Sequence, residues 1–248
     1  MVRKSANSRP LPSRPKNRLL RALPEADFQR IIADLDTVPI PARYIFHKHG
    51  QPITHVYFPN GGVVSVTAVL SDGTMVETAT VGDEGMIGIE AFFVKGPIAP
   101  GETMMQVPDT NVERLSVLAF RRELARQGAL SELMGRYAQV SIAQMMQSTA
   151  CNALHQIHER CCRWLLTTHD RVGRDDFHLS HEFLGVMLGV RRQSVTVVAG
   201  ALQAAGLIRY KHGNMTILNR KGLEAGSCEC YSLIRRRFDA LPADHDSL

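Results

Sequence analysis

"HLSHEFLGVMLGVRRQSVTVVAGALQAAGLIRYKHGNMTIL", residues 178–218, holds two short helical patterns, a glycine between them and a basic hairpin. Ser180 suits a helix N-cap, because its hydroxyl can accept from the first free backbone N–H groups of a helix running through Leu188. Gly185 leaves space where a crossing helix approaches, and Gly189 supplies a turn conformation that other residues adopt at greater cost. A second helix from about Arg191 places Val195, Val198, Ala199 and Leu202 on one face and stops at Gly206. "LIRY", the turn "KHGN" and "MTIL" read as a β-hairpin, so the stretch predicts a winged helix-turn-helix.

Burying that stripe leaves Arg192, Gln193, Thr196 and Gly200 on the outer face, with Arg191 at the helix entrance. Arginine can pair bidentately with guanine and glutamine with adenine in a major groove, while Ser180, at a helix N-terminus, suits a phosphate. Lys211 on the hairpin is a further phosphate contact. These seven residues are the candidate interface with double-stranded DNA. Charge agrees: residues 174–221 hold seven Lys/Arg against three acids, whereas residues 22–173 hold twelve against sixteen.

A chain of 248 residues favours two domains slightly over one. Its 44% hydrophobic and 21% charged residues are ordinary for soluble proteins. No apolar run approaches the roughly 20 residues of a membrane span, and no apolar run follows the basic N-terminus as in a secretory signal. A cytoplasmic protein without membrane contact is expected. Residues 1–21 carry seven Lys/Arg and no acid, among prolines, serines and asparagines, and predict a flexible basic arm. All five cysteines (151, 161, 162, 228 and 230) lie in the C-terminal half, and their odd number argues against a secreted disulfide framework. Cys228 and Cys230 could bind a metal with help from Cys161 or Cys162, but no second spaced pair of the zinc type is present. The thiols are therefore read as structural, with no metal ligands assigned.

Outward from the opening stretch, Asn17 to Asp36 is a short helical lead-in broken at Pro24. From Thr37 to Leu118, short runs rich in Val, Ile, Thr, Phe and Tyr alternate with turns such as "PNGG" and "SDG", which predicts an antiparallel sandwich or small barrel. One long helix is expected from about Leu130 to about Thr168. It has two stripes, one through Leu130, Met134, Tyr137, Ser141 and Cys151 and another through Ile142, Met145, Met146 and Leu154, suiting contact with the strand domain and with a twin helix across a dimer axis. The class is α+β, divided into an arm (1–21), a strand domain (22–129), a dimerisation helix (130–169) and a DNA-binding domain (170–248).

From about Asn17 onward the chain resembles transcription regulators of the Crp/Fnr family, on "LGVRRQSVTVVAGALQAAGLI", "VYFPNGGVVSV", "VGDEGMIG" and "RCCRWLLTTHDR". The resemblance implies a jelly-roll sensor domain of cyclic-nucleotide-binding type, a homodimer on a palindromic operator, and RNA polymerase as a candidate partner. It puts Arg192 and Gln193 on base-contacting positions, while Val197 departs from the usually polar or basic residue at the next one.

By the same resemblance the candidate effector pocket holds Gly88, Glu90, Ala91, Glu102 and Thr103. Members that bind cyclic nucleotides carry Gly-Glu and then an Arg with a Ser or Thr for the phosphate. Here Glu90 is displaced by one residue, no arginine occurs from Gly88 to Val107, and Glu102 would repel a phosphate. The family's iron–sulfur version uses N-terminal cysteines, and residues 1–150 have none. The effector is left unassigned and is not expected to be cyclic AMP. The alternative function is a cupin-like metal enzyme using His47 and His49, but residues 51–54 lack the glutamate such a site wants. No catalytic residues are assigned, and enzymatic activity is not expected.

Overall fold

The computed structural model describes residues 14–109 and 111–241. Two short helices, α1 (Arg18–Ala22) and α2 (Glu25–Ile32), lead in. Buried Asn17 caps α1 by accepting from the backbone of Leu19 and Leu20, and its Nδ2 donates to the carbonyls of Pro59 and Gly85. Of the basic arm expected over 1–21, residues 1–13 lie outside the described residues. The rest is not an arm, because Leu19, Leu20 and Leu23 are core residues and Arg14 bonds the carbonyls of Arg21 and Leu23.

Seven strands follow: β1 (Asp36–Val38), β2 (Ile45–His47), β3 (His55–Pro59), β4 (Val63–Val69), β5 (Met75–Val81), β6 (Glu102–Val107) and β7 (Val112–Ser116). They form two antiparallel sheets, in orders β1-β7-β3 and β2-β6-β4-β5. Alternating inward residues such as Tyr57, Val64, Val81, Met105 and Val112 fill the space between them, completing the jelly roll. α3 (Glu90–Phe93) lies between β5 and β6, and α4 (Val117–Leu124) follows β7.

The single helix expected over 130–169 is two, α5 (Ala129–Leu154) and α6 (Ile157–Val172). His155 and Gln156 between them are extended, with ψ of 148° and 152°. A reciprocal cap makes the break: the Gln156 side chain accepts from the Glu159 backbone, and Glu159 Oε2 accepts from the Gln156 N–H at 2.8 Å. The buried stripe of α5 runs through Leu130, Met134, Tyr137, Ser141 and Cys151, while Ile142, Met146 and Leu154 are exposed.

The C-terminal part comprises β8 (Asp176–His178), α7 (His181–Leu188), α8 (Arg192–Ala204), β9 (Ile208–Lys211), β10 (Asn214–Ile217), α9 (Arg220–Ala225) and α10 (Cys230–Ala240), with strand order β8-β10-β9. The boundary expected at residue 170 cuts through one core. Cys161, Trp164 and Leu165 of α6 pack with Leu184, Val195, Leu202, Ile208 and Met215, because the buried face of α6 points into this unit.

Polar contacts through Met187, Trp164 and Arg171 dock that unit on the barrel. Met187 Sδ, near the end of α7, accepts from Gln106 Nε2 at 3.4 Å and lies 3.0 Å from Ser65 Oγ. Glu77 on β5 accepts from Ser65 Oγ at 2.5 Å and from Trp164 Nε1 at 3.1 Å. Arg171 on α6 grips Glu84 at 2.5 Å, with both side chains 6% exposed.

Candidate nucleic-acid interface

The helix pair forms as its turn chemistry dictates. Ser180 Oγ accepts from the Phe183 N–H at 3.2 Å, and Gly189 ends α7 in the left-handed region at φ 61°. The Val190 N–H then donates to the Gly185 carbonyl at 2.9 Å. A Cβ on Gly185 would lie 2.9 Å from the Val190 carbonyl oxygen, so the close turn depends on that glycine. Arg191 is the extended residue that starts α8.

Val195, Val198, Ala199 and Leu202 are buried, and Arg191, Arg192, Gln193, Thr196 and Gly200 are exposed on the opposite side of α8. Val197 shares that side and is 73% exposed, an apolar residue suited to a thymine methyl rather than to a hydrogen bond. The Thr196 hydroxyl is engaged locally, donating to the Arg192 carbonyl at 3.1 Å and lying 3.1 Å from His181 Nδ1. His181, which sequence reasoning missed, stacks on Tyr210 with centroids 4.0 Å apart and so ties the start of α7 to the wing. Burial, and then the Arg192 charge, holds its imidazole below the usual histidine range. Gln203 Oε1 accepts from the Tyr210 N–H at 2.8 Å and joins α8 to the same strand. Lys211 is exposed at the wing tip, where His212 and Gly213 turn the chain with φ of 49° and 82°.

The basic cluster divides by partner. Arg174 pairs with Asp109, and Arg220 binds Asp170 at 2.7 Å, so both serve the fold. Arg191, Arg192, Arg209, Lys211 and Lys221 are exposed and make no ion pair among the described residues.

Of the residues expected around an effector, Gly88, Glu90 and Thr103 line a cavity of about 290 Å³ between barrel and α5. Ala91 is fully buried within α3 and Glu102 lies off the lining, its carbonyl accepting from Thr67 Oγ1. The wall that sequence reasoning missed comes from α5, with Tyr137, Ser141, Gln144 and Met145. Burial pushes the Tyr137 hydroxyl up to about 12 while it donates to the Met86 carbonyl at 2.8 Å, and burial likewise raises the Glu90 carboxyl. The lining contains no lysine or arginine.

His47 and His49 do not converge. His47 is buried with Nε2 on the His55 carbonyl at 2.9 Å, and exposed His49 meets the Pro100 carbonyl at 3.0 Å. The chemistry of a cupin metal centre is not assembled there.

Residues 159–225 match the Crp-like helix-turn-helix domain. A Crp/Fnr-family regulator from Eubacterium rectale is similar in structure with TM-score 0.66 and 19% identity, over 85% of this chain and 97% of its own. FixK2 from Bradyrhizobium japonicum has TM-score 0.64 and 17% identity, over 78% of this chain and 96% of its own. CLP from Xanthomonas campestris, a c-di-GMP-responsive regulator, has TM-score 0.62 and 16% identity, over 78% and 99%. No curated protein matches the chain. The described residues thus join a Crp-like helix-turn-helix domain to a jelly-roll barrel, the fold of the Crp/Fnr-family regulator from Eubacterium rectale. The resemblance read in the sequence is thereby borne out in the helix-turn-helix domain and in the fold, and no helix among the described residues is long and apolar enough to cross a membrane.

Proposed function

We propose that the chain acts as a homodimer that presents two copies of α8 to the halves of a palindromic operator, about one helical turn apart. The observation that carries this reading is the outer face of α8, where Arg191, Arg192 and Gln193 stand exposed beside Thr196 and Gly200. Arg192 reads a guanine, Gln193 an adenine, and Ser180 and Lys211 hold phosphates. The exposed Ile142, Met146 and Leu154 supply the stripe for a twin α5. Selection of bound DNA from a random pool, with sedimentation of the protein, tests this: a two-fold symmetric site and a dimer are expected. A monomer at micromolar concentration that binds its site with full affinity defeats it.

The effector of this reading is a small molecule without a phosphate. It fills the cavity beside Gly88, Glu90 and Thr103, and shifts the unit through the α5 wall. Cyclic AMP leaves DNA affinity unchanged, because no cation faces the cavity to pair with its phosphate. Calorimetric binding of cyclic AMP at micromolar concentration, abolished by substitution within residues 88–107, overturns this. RNA polymerase is the expected partner of the DNA-bound dimer, testable by co-migration on operator DNA.

A further inference from the structure

Outside the helix-turn-helix, three elements bring sulfur and imidazole together. Cys151 lies in the last turn of α5, His155 stands in the two-residue break before α6, and Cys228 and Cys230 flank Glu229 at the start of α10. Their four donor atoms all lie within 4.8 Å of one another. Cys151 Sγ is 3.6 Å from Cys228 Sγ, and Cys230 Sγ is 3.6 Å from His155 Nδ1. A zinc ion bonded at about 2.3 Å to sulfur and about 2.0–2.1 Å to nitrogen spaces tetrahedral ligands about 3.8 Å apart for S···S and about 3.6 Å for S···N. Both separations match such edges, and the sulfur pair is far beyond the roughly 2.05 Å of a disulfide.

The surroundings complete the pattern. His155 Nε2 lies 3.3 Å from Glu229 Oε2, a carboxylate that holds the proton on Nε2 and turns the Nδ1 lone pair toward the thiols. Gln147 Nε2 donates to Cys230 Sγ at 3.0 Å, and the charges of Arg160 and Arg163 act on Cys151 to offset the excess negative charge of three thiolates. Cys161 and Cys162, suggested by the sequence as helpers of Cys228 and Cys230, are in the hydrophobic core with Trp164 and Leu165 instead.

We propose that Cys151, His155, Cys228 and Cys230 form a closed Cys3His site for one zinc ion, pinning α10 to the break between α5 and α6. Three thiolates and an imidazole are a donor set that zinc takes in structural sites, and four protein ligands leave no position for a reacting water. An iron–sulfur cluster, whose ligands sit on different irons, needs a wider cage than donors clustered within 4.8 Å. Because the ligands must be deprotonated to bind, metal uptake releases protons and strengthens as pH rises.

The full-length protein, purified with reductant and no chelator, is expected to carry about one zinc per chain by elemental analysis. Metal-depleted protein titrated with cobalt should show thiolate charge-transfer bands and the intense visible absorption of a tetrahedral thiolate site, saturating at about one equivalent. Cys151→Ser, Cys228→Ser and His155→Ala should each lose the metal, Cys161→Ser should keep it, and Glu229→Gln should weaken zinc affinity about 10- to 100-fold. The cobalt titration uses the unsubstituted chain, so variants that fail to fold leave the test intact. A wild-type chain that gives no tetrahedral cobalt spectrum, or zinc retained undiminished in Cys151→Ser, overturns the proposal.

Discussion

Arg191 and Arg192 at the start of α8 are exposed and without an ion pair among the described residues, whereas Arg171 on α6 is 6% exposed and gripped by Glu84 at 2.5 Å. The same guanidinium serves opposite ends. On α6 its Nε and Nη2 donors are spent inside the molecule on Glu84 and the Thr80 carbonyl, where leaving a partner buried alone is costly. On α8 they are left for an external acceptor, so the fold gains little from them. The contrast predicts that stability and DNA affinity separate by location, and four substitutions test the separation.

Arg171→Ala strikes the buried end and leaves Glu84 buried without its partner. It is expected to cost about 3–5 kcal/mol in urea denaturation. A loss below about 1 kcal/mol would place this pair with exposed ones and erase the contrast.

Glu77 sharpens it by a different route. Burial pushes its carboxyl up to about 7 from 4.5, against the pull of the Ser65 bond and the nearby arginines. A folded value above the unfolded one favours the protonated form. Its contribution is therefore complete below pH 4.5 and lost as pH rises through 7. Glu77→Gln should remove that slope, worth roughly 3 kcal/mol across the window, in thermal melts from acid to neutral pH. An unchanged slope means that Glu77 is already ionised where it sits.

At the exposed end, Arg192→Ala should leave stability within about 0.5 kcal/mol of wild type. It should weaken operator binding by about 1–3 kcal/mol per half-site and relax the preference at one base pair. Equal loss on operator, altered operator and unrelated DNA in gel shifts would reduce it to a backbone anchor. Lys211→Ala is the smallest effect: binding weakens alike on all sequences, and the slope of log affinity against log salt flattens by about one.

The helix-turn-helix was legible almost residue by residue because its determinants are local: the Ser180 cap, Gly185, Gly189 and the stripe through Leu202 lie within a few turns of what they control. The break between α5 and α6 was not. It contains neither glycine nor proline, and it rests on a Gln156 cap where serine, threonine, aspartate or asparagine are the usual signals. A small part of the cavity was legible through the resemblance, as Gly88, Glu90 and Thr103, while Tyr137, Ser141 and Gln144 depend on how α5 lies on the barrel. The thiol cluster hid for the same reason, since Cys151 and Cys228 are 77 residues apart and only the return of α10 joins them. Leu19 and Leu20 were readable as part of a helical lead-in, yet the basic residues around them drew the arm boundary past them.

The sulfur of Met187, held by Ser65 and Gln106, sits at one end of a lever. α7 has 8 residues and α8 has 13, so they are roughly 12 and 20 Å long. If the pair pivots as one piece about Ser180, a slip of about 1 Å at Met187 rotates it by about 5° and carries Arg192, whose backbone N lies 3.7 Å from the Cβ position of Gly185, through somewhat less than about 1 Å. Hydrogen bonds to base edges tolerate only about half an ångström. A breath of the barrel too small to disturb its own core would be enough to put Arg192 in or out of register with the guanine proposed for it.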